Sequence, residues 1–401
     1  MAELWIRAGG GDVLLIEGIL RGRAQHRPHG LVLDAHTAAS TDRLHHAARR
    51  AGAALLVDPQ THYLQAAQNP LDPWAQLPFA TPKALTPQEL LVPQELTRRV
   101  REAISFQLDH GATAIVAPYV HIERADNGWV PVQLALWRET RLIMRSEQIH
   151  LPIVAVLALG WRELDRSRWQ HALRPLHACL RHDLRPDRVA LAASKVDAGA
   201  HPAERLSCFI AVLRQLRRHW PVLAWQQGAL GEAAVAAGAA GYECGIGWRE
   251  RCDLQTQMRS HANPPDANAS YGARPVYIAA LNGSLPKHSI RLLLQDSRTA
   301  AQLTCFEVAC CPDGTRALLA DARAHAIASR RRSLDQLTQP DQPAWRWNLL
   351  AQHSSAGLGL AERINQLAAR TPGITRVSTE ALAATLALAE HRRQHLGRRA
   401  A

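Results

Sequence analysis

The sequence predicts an α/β fold, a (β/α)₈ barrel with a C-terminal helical extension. Three observations predict it. From residue 30 onward short apolar runs alternate with longer amphipathic segments, the signature of a buried parallel sheet. Each run is followed at once by polar residues, glycine or proline, as strands that end in functional loops are. The chain has 401 residues and is 47% hydrophobic, which exceeds the roughly 250 residues that one barrel needs.

Seven runs are read as strands: Gly30–Leu33, Ala53–Val57, Thr113–Ala117, Ile153–Leu159, Val189–Ala193, Val222–Ala224 and Ala240–Tyr242. A first strand is expected before residue 30, within Asp12–Leu20, and a last one at Pro275–Leu281. Thr41–Ala51, Pro93–His110 and Glu204–Arg218 carry apolar residues at helical spacing with Arg and Glu opposite. His261–Ala269 reads as a long loop, and the chain reads as helical and Arg-rich from Arg316 to its end. The expected division is residues 1–300 as barrel and 301–401 as a Cys-containing helical region.

The net charge is +12, with Lys83, Lys195 and Lys287 as the sole lysines, so the positive charge is almost all arginine. Such a balance suits a nucleic-acid partner, tRNA or DNA, although an Ala- and Arg-rich composition also follows from a GC-rich genome. The longest apolar stretch, Leu151–Leu159, is too short to cross a membrane, and seven irregularly spaced cysteines make no disulfide framework. A cytoplasmic, soluble protein is expected. The cysteines that stand out are Cys305, Cys310 and Cys311, dense enough to suggest a metal.

Several motifs recur in a fixed order after the apolar runs. They are Asp58-Pro59-Gln60-Thr61 through Gln65, Leu85-Thr86-Pro87-Gln88-Glu89, His110 to Ala117, Ile153 to Gly160, and Ala190 to Val196. Val222 to Gly228, with Trp225-Gln226-Gln227-Gly228 at its end, then precedes a helix and Gly241-Tyr242-Glu243-Cys244. Cys305, Cys310 and Cys311 follow, then Arg323-Ala324-His325 and Leu349-Leu350-Ala351-Gln352-His353. In order and spacing this series resembles the tRNA-guanine transglycosylase family, barrels that exchange a base in nucleic acid. The resemblance covers roughly residues 50 to 360 and departs from the family in detail. Pro59 and Gln60 replace a pair of glycines, Ala192 and Ala193 replace another pair, and Val156 to Leu159 replaces the glutamine that helps hold the base.

The resemblance implies Glu243 as the carboxylate nucleophile and Asp58 as its acid/base partner. It further implies a structural Zn²⁺ on Cys305, Cys310, Cys311 and His353, with His325 as a substitute ligand, and a homodimer or a partner subunit. The chemistry is consistent, because breaking an N-glycosidic bond calls for one carboxylate at the anomeric carbon and a second group for the proton. Asp34 is a reserve acid. Tyr119, His121 and Trp129 are read as pocket lining, Lys195 as a phosphate anchor, and Gln226 and Gln227 as amides that read a base edge. Gly228, Trp248 and Arg249 would add a close backbone approach, a stacking ring and a phosphate ligand.

Each assignment has a plainer competitor. Asp58 can open an Asp-Pro turn, Glu243 can pair with Arg249 or Arg251, Asp34 can sit in a salt bridge, and the cysteines can be buried thiols. Arg330-Arg331-Arg332 and His391–Arg399 are either an arm for phosphates or solvated helix faces. Three functions follow: a base-exchanging enzyme, a non-catalytic barrel that binds nucleic acid or a modified base, and an unrelated barrel enzyme acting on a small phosphorylated substrate.

Overall fold

A computed structural model describes residues 2–22, 27–164, 169–198, 201–247, 249–262, 273–308 and 310–400. Nine strands build the main sheet: β1 (Glu3–Ala8), β2 (Gly30–Asp34), β3 (Ala54–Asp58), β4 (Ile115–Ala117), β5 (His121–Ile122), β6 (Ile153–Gly160), β7 (Arg188–Ser194), β8 (Val222–Ala224) and β9 (Gly241–Gly245). All pairings are parallel, in the order β3-β2-β1-β9-β8-β7-β6-β4, with the short β5 on the upper half of β6. The two ends of that order meet through Thr113, whose N–H donates to the Leu55 carbonyl (2.8 Å) and whose hydroxyl accepts from the Leu55 N–H (2.9 Å). The result is a nearly closed eight-stranded barrel of the (β/α)₈ type.

The seven runs named above all form barrel strands, but the remaining strand lies elsewhere. Asp12–Leu20 falls largely in the helix Val13–Arg21, and the first strand is Glu3–Ala8. Its six residues alternate: Leu4, Ile6 and Ala8 join the core between sheet and helices, whereas Trp5 joins the apolar cluster inside the barrel. The indole occupies space that a side chain on β2 would need, since a Cβ on Gly30 would lie 2.3 Å from the ring. Pro275–Leu281 also departs from expectation. Its strand, β10 (Val276–Ile278), pairs antiparallel with β11 (Gly283–Leu285), and this hairpin stands outside the barrel.

Helices follow the strands in the usual alternation, among them Arg43–Ala51, Pro93–Asp109, Trp129–Ser146 and Pro202–Leu216. The expected helix start at Leu85-Thr86-Pro87-Gln88-Glu89 is a capping box, with the Glu89 N–H on the Thr86 hydroxyl (3.2 Å) and the Thr86 N–H on the Glu89 carboxylate (2.7 Å). The outer position next to β1 is taken by Ala322–Thr338, a helix of the C-terminal region, so that Ala326, Ile327, Leu334 and Leu337 belong to the barrel's own core. The hairpin, with Cys311, Leu318, Leu360 and Ile364, forms a separate apolar cluster. No helix of the described residues is long and apolar enough to cross a membrane.

Candidate active site

The side chain at the centre of the barrel mouth is Arg7, which the sequence reading passed over. It is the next inward position after Trp5 on β1 and is 4% exposed. A guanidinium so placed must find acids, because an unpaired buried charge is prohibitively costly. It finds three, from three strands. Arg7 Nε donates to Glu243 Oε1 (2.9 Å), Nη2 to Glu243 Oε2 (3.2 Å), and Nη1 to Asp58 Oδ2 (2.9 Å) and to Asp34. Register brings them together: Asp34 pairs with Asp58 across β2 and β3, and Glu243 lies opposite Trp5 on β1.

Further contacts fix each acid. Asp58 accepts from the Gln60 N–H (3.0 Å) and from the Tyr119 hydroxyl (3.1 Å), and Glu243 accepts from the Gln226 N–H (2.8 Å). Asp34 is also bonded to Arg249, and the Trp225 ring lies 5.1 Å from the Arg7 guanidinium carbon. Asp58 and Glu243 are 0% exposed, so bulk water does not reach either carboxyl.

This environment separates the three acids. Burial raises the carboxyls of Asp58 and Glu243 above their ordinary values, against the pull of Arg7. Burial acts on Asp34 too, but Arg249 and Arg7 together hold it well below the usual range. The surroundings thus push the three acids in opposite directions, Asp34 down and Asp58 and Glu243 up.

The mouth is covered. The helix Leu254–Ala262 spans it, with Gln257 Nε2 donating to Gln226 Oε1 (2.6 Å) after β8 and His261 2.9 Å from Asp72, which follows β3 on the far side. Beneath it His62, from the turn Thr61–Gln65, stacks on Tyr119 with centroids 5.3 Å apart. Both His62 ring nitrogens are buried without a hydrogen-bond partner, and burial pushes the imidazole well below its ordinary pKa.

No family description matches the chain, and no curated protein matches it. Among solved structures the chain is similar to a dihydrodipicolinate synthase from Oceanobacillus iheyensis, at 9% identity over 98% of this chain and 97% of that one, with a TM-score of 0.33. So distant a likeness says nothing about chemistry. The barrel rests on its own strand pairings, and any function must come from the site.

The other expected site residues divide between the mouth and the scaffold. Tyr119, Gln226, Asp34 and Arg249 join the mouth as described. The competitor foreseen for Glu243, an ion pair with Arg249 or Arg251, gives way to the pair with Arg7, since Arg249 serves Asp34 and Arg251 lies 3.0 Å from Asp197. Gln227 is scaffold: its amide donates to the Ala193 carbonyl (2.8 Å) and ties β8 to β7. Gly228 is needed for packing, because a Cβ there would lie 2.9 Å from Cys244 Cβ and from the Glu250 carbonyl oxygen. His121 is buried 3.5 Å from Glu123, and burial holds its imidazole down at about 4. Lys195 faces Asp253 at 3.5 Å, and Trp129 is half-buried at the start of its helix. Trp248 lies outside the described residues.

The cysteines come together with His325, the substitute histidine, and not with His353. Cys305, Cys310, Cys311 and His325 place their ligand atoms within 4.8 Å of one another. Cys305 Sγ is 3.7 Å from Cys310 Sγ, and His325 Nδ1 is 3.7 Å from Cys310 Sγ and 3.4 Å from Cys311 Sγ. His325 Nε2 lies 3.0 Å from the Tyr277 carbonyl, which fixes the tautomer that aims a lone pair from Nδ1 at the thiols. His353 is not among them. Its helix, Pro343–Ala368, packs on Gly231–Ala236, which puts His353 beside the buried Glu232 in a different cavity. His325 sits on Ala322–Thr338, which packs on β10 below the cysteines.

The run Arg330-Arg331-Arg332 is likewise no arm. Arg330 is 1% exposed, lies 4.0 Å over the Tyr277 ring and binds Glu250 (2.8 Å); Arg331 pairs with Asp335 and Arg332 with Glu307.

Two outcomes follow for the Arg7 cluster. Replacing Arg7 by Met strands three acids inside the barrel and should cost about 3–5 kcal/mol in urea unfolding, the range for breaking a buried ion pair; a loss below about 1 kcal/mol would mean that the guanidinium is not the hub. Asp34, with its depressed pKa, contributes stability in full above the unfolded-state value of about 4, and the contribution declines as pH falls below it. Asp34→Asn should therefore be less stable than the parent at pH 7, with a gap that narrows as pH falls below about 4. A gap that is constant with pH would contradict the assignment.

Proposed function

We propose that the protein acts on an N-glycosidic bond in a nucleic acid, exchanging or removing a base, in the manner of the tRNA-guanine transglycosylases that its motif order resembles. The observation that carries this reading is the meeting of Asp58 and Glu243, from β3 and β9, on one guanidinium at the carboxyl ends of the strands. The reaction requires one carboxylate to attack and one carboxylic acid to give the departing base its proton, and burial, which raises Asp58, favours holding the proton there.

Glu243, as carboxylate, attacks the anomeric carbon and forms a C–O bond. The C–N bond to the base breaks, its electron pair goes to the base nitrogen, and the Asp58 carboxylic acid supplies the proton. An incoming base or water then attacks the same carbon, expels Glu243 and gives its proton to Asp58. Arg7 holds both acids before substrate arrives, and Tyr119 donates to Asp58 throughout. Because Leu254–Ala262 covers the acids, a nucleotide reaches them when Gln257 and His261 let go of Gln226 and Asp72.

A second reading is favoured by one specific contact set: both Glu243 oxygens are bound, Oε1 by Arg7 and Oε2 by Arg7 and the Gln226 N–H. In that reading the barrel binds nucleic acid without catalysis. The two separate in one assay. Protein mixed with tRNA and labelled guanine should incorporate label or release base, and Glu243→Gln should abolish this at unchanged tRNA affinity. Retention of tRNA without any exchange or release, in both proteins, would establish the binding reading instead.

Zinc belongs to the same proposal. Cys305, Cys310, Cys311 and His325 fit it, since three thiols and an imidazole with a backbone-fixed tautomer are a structural zinc donor set. Bound there, zinc would act as a cross-link between the cysteine loop and the helix Ala322–Thr338, away from the mouth. Purified protein should carry one equivalent by elemental analysis; Cys311→Ser and His325→Ala should lose it and His353→Ala should keep it. Loss on replacing His353 with retention on replacing His325 would reverse the ligand assignment.

A further inference from the structure

At the opposite end of the barrel from Arg7, cations gather without acids. Two adjoining cavities of about 590 Å³ and 360 Å³ share Arg217, Ala236 and Pro343. Their walls include Pro221 and Val222, where β8 begins, and Ala240, just before β9, which places the groove at the amino ends of the strands. Arg214, Arg217, Arg218, Arg346 and Arg392 line it, and neither cavity has an aspartate or glutamate in its wall. Three imidazoles, His219, His391 and His395, complete the basic lining.

Elsewhere many of the chain's buried or half-buried arginines are spent on carboxylates, as Arg7, Arg99, Arg188 and Arg330 are. Among the described residues none of the five groove arginines has a carboxylate partner within the 4.0 Å range of an ion pair. Arg217 and Arg346 each donate to one backbone carbonyl, Ala237 (2.7 Å) and Pro340 (3.0 Å), which leaves most of their N–H groups free. Arg392 Nε is buried and has no hydrogen-bond partner among the described residues, and burial together with the nearby Arg214 pulls its guanidinium below the ordinary value. The 26-residue helix Pro343–Ala368 begins in the groove without a side-chain cap, so its positive end adds to the field.

We infer that this groove binds the phosphate backbone of a nucleic-acid strand, as a docking site separate from the barrel mouth. Like charges gathered without counter-charges are unfavourable until an anion arrives. Guanidinium forks match phosphate oxygens bidentately. The cations are spread along two connected cavities instead of converging on one point, which suits a run of phosphates better than a single one. The assignment rests on the reading of the protein as one that works on nucleic acid, and it adds where the polymer is held while one nucleotide enters the mouth.

Arg214 and Arg218 are exposed, have no side-chain partner among the described residues and lie at the other end of the barrel from the acids, so the double variant Arg214→Gln/Arg218→Gln should fold normally, which a thermal melt checks. Binding of a fluorescein-labelled single-stranded RNA is then measured by anisotropy across a salt series. The variant should bind more weakly, and its slope of log affinity against log salt should be shallower by about 1.4, from about 0.7 per lost phosphate contact. Equal affinity and equal slope would overturn the groove while leaving the mouth's chemistry untouched. A wild-type protein that binds no RNA would overturn the parent reading as well. Displacement of the RNA by tripolyphosphate at the same phosphate concentration would assign the groove to a small polyphosphate and overturn the strand.

Discussion

The structure depends on one arginine in the wrong place for a strand. Arg7 points into the barrel, where its neighbours on the same face are Trp5 and the apolar cluster of Val32, Leu56, Val156 and Leu223. A guanidinium there can persist only if the strands around it deliver carboxylates to the same level, and β2, β3 and β9 do. Because each acid comes from a different strand, the ion cluster also fixes the relative register of the strands around the barrel mouth. It is a poor way to gain stability, since an apolar filling of similar volume is often as good or better. Its yield is chemical: a mouth that holds one obligate anion and two acids with raised pKa values.

Much of this was legible beforehand. Parallel strands buried on both faces leave continuous apolar runs, and all seven named runs are barrel strands. Asp34, Asp58 and Glu243 all stand at strand ends, Asp34 legible as a strand-end acid and the roles of Asp58 and Glu243 suggested by the resemblance. The first strand was missed for a physical reason. Leu4-Trp5-Ile6-Arg7 is interrupted by a charge, and the longer apolar stretch that follows is the inner face of a helix. Once that strand was misplaced, no local signal could single out Arg7, whose meaning depends on three acids distant in sequence. His62 was hidden likewise, in a short turn that packs on Tyr119 and on the helix Leu254–Ala262.

Arginine shows the same limit from the other side. The run Arg330-Arg331-Arg332 looks like an arm, yet each member has a partner in the fold. The groove arginines come from three regions, between residues 214 and 392, and only tertiary packing collects them. Spacing likewise located the cysteines, whereas the choice between His325 and His353 was made by which helix packs against β10.

The central claim is that Arg7 and its surroundings divide three carboxyl groups into one persistent anion and two groups with raised pKa values. Titration of ¹³C-carboxyl-labelled protein by NMR tests it, with Asp34→Asn, Asp58→Asn and Glu243→Gln to assign the signals. The account predicts one signal that stays ionised down to the acid limit of folding and two that titrate above the ordinary carboxyl range of about 3.9 to 4.3. Three ordinary titrations, or an Asp34 that protonates before Asp58 and Glu243, would contradict it.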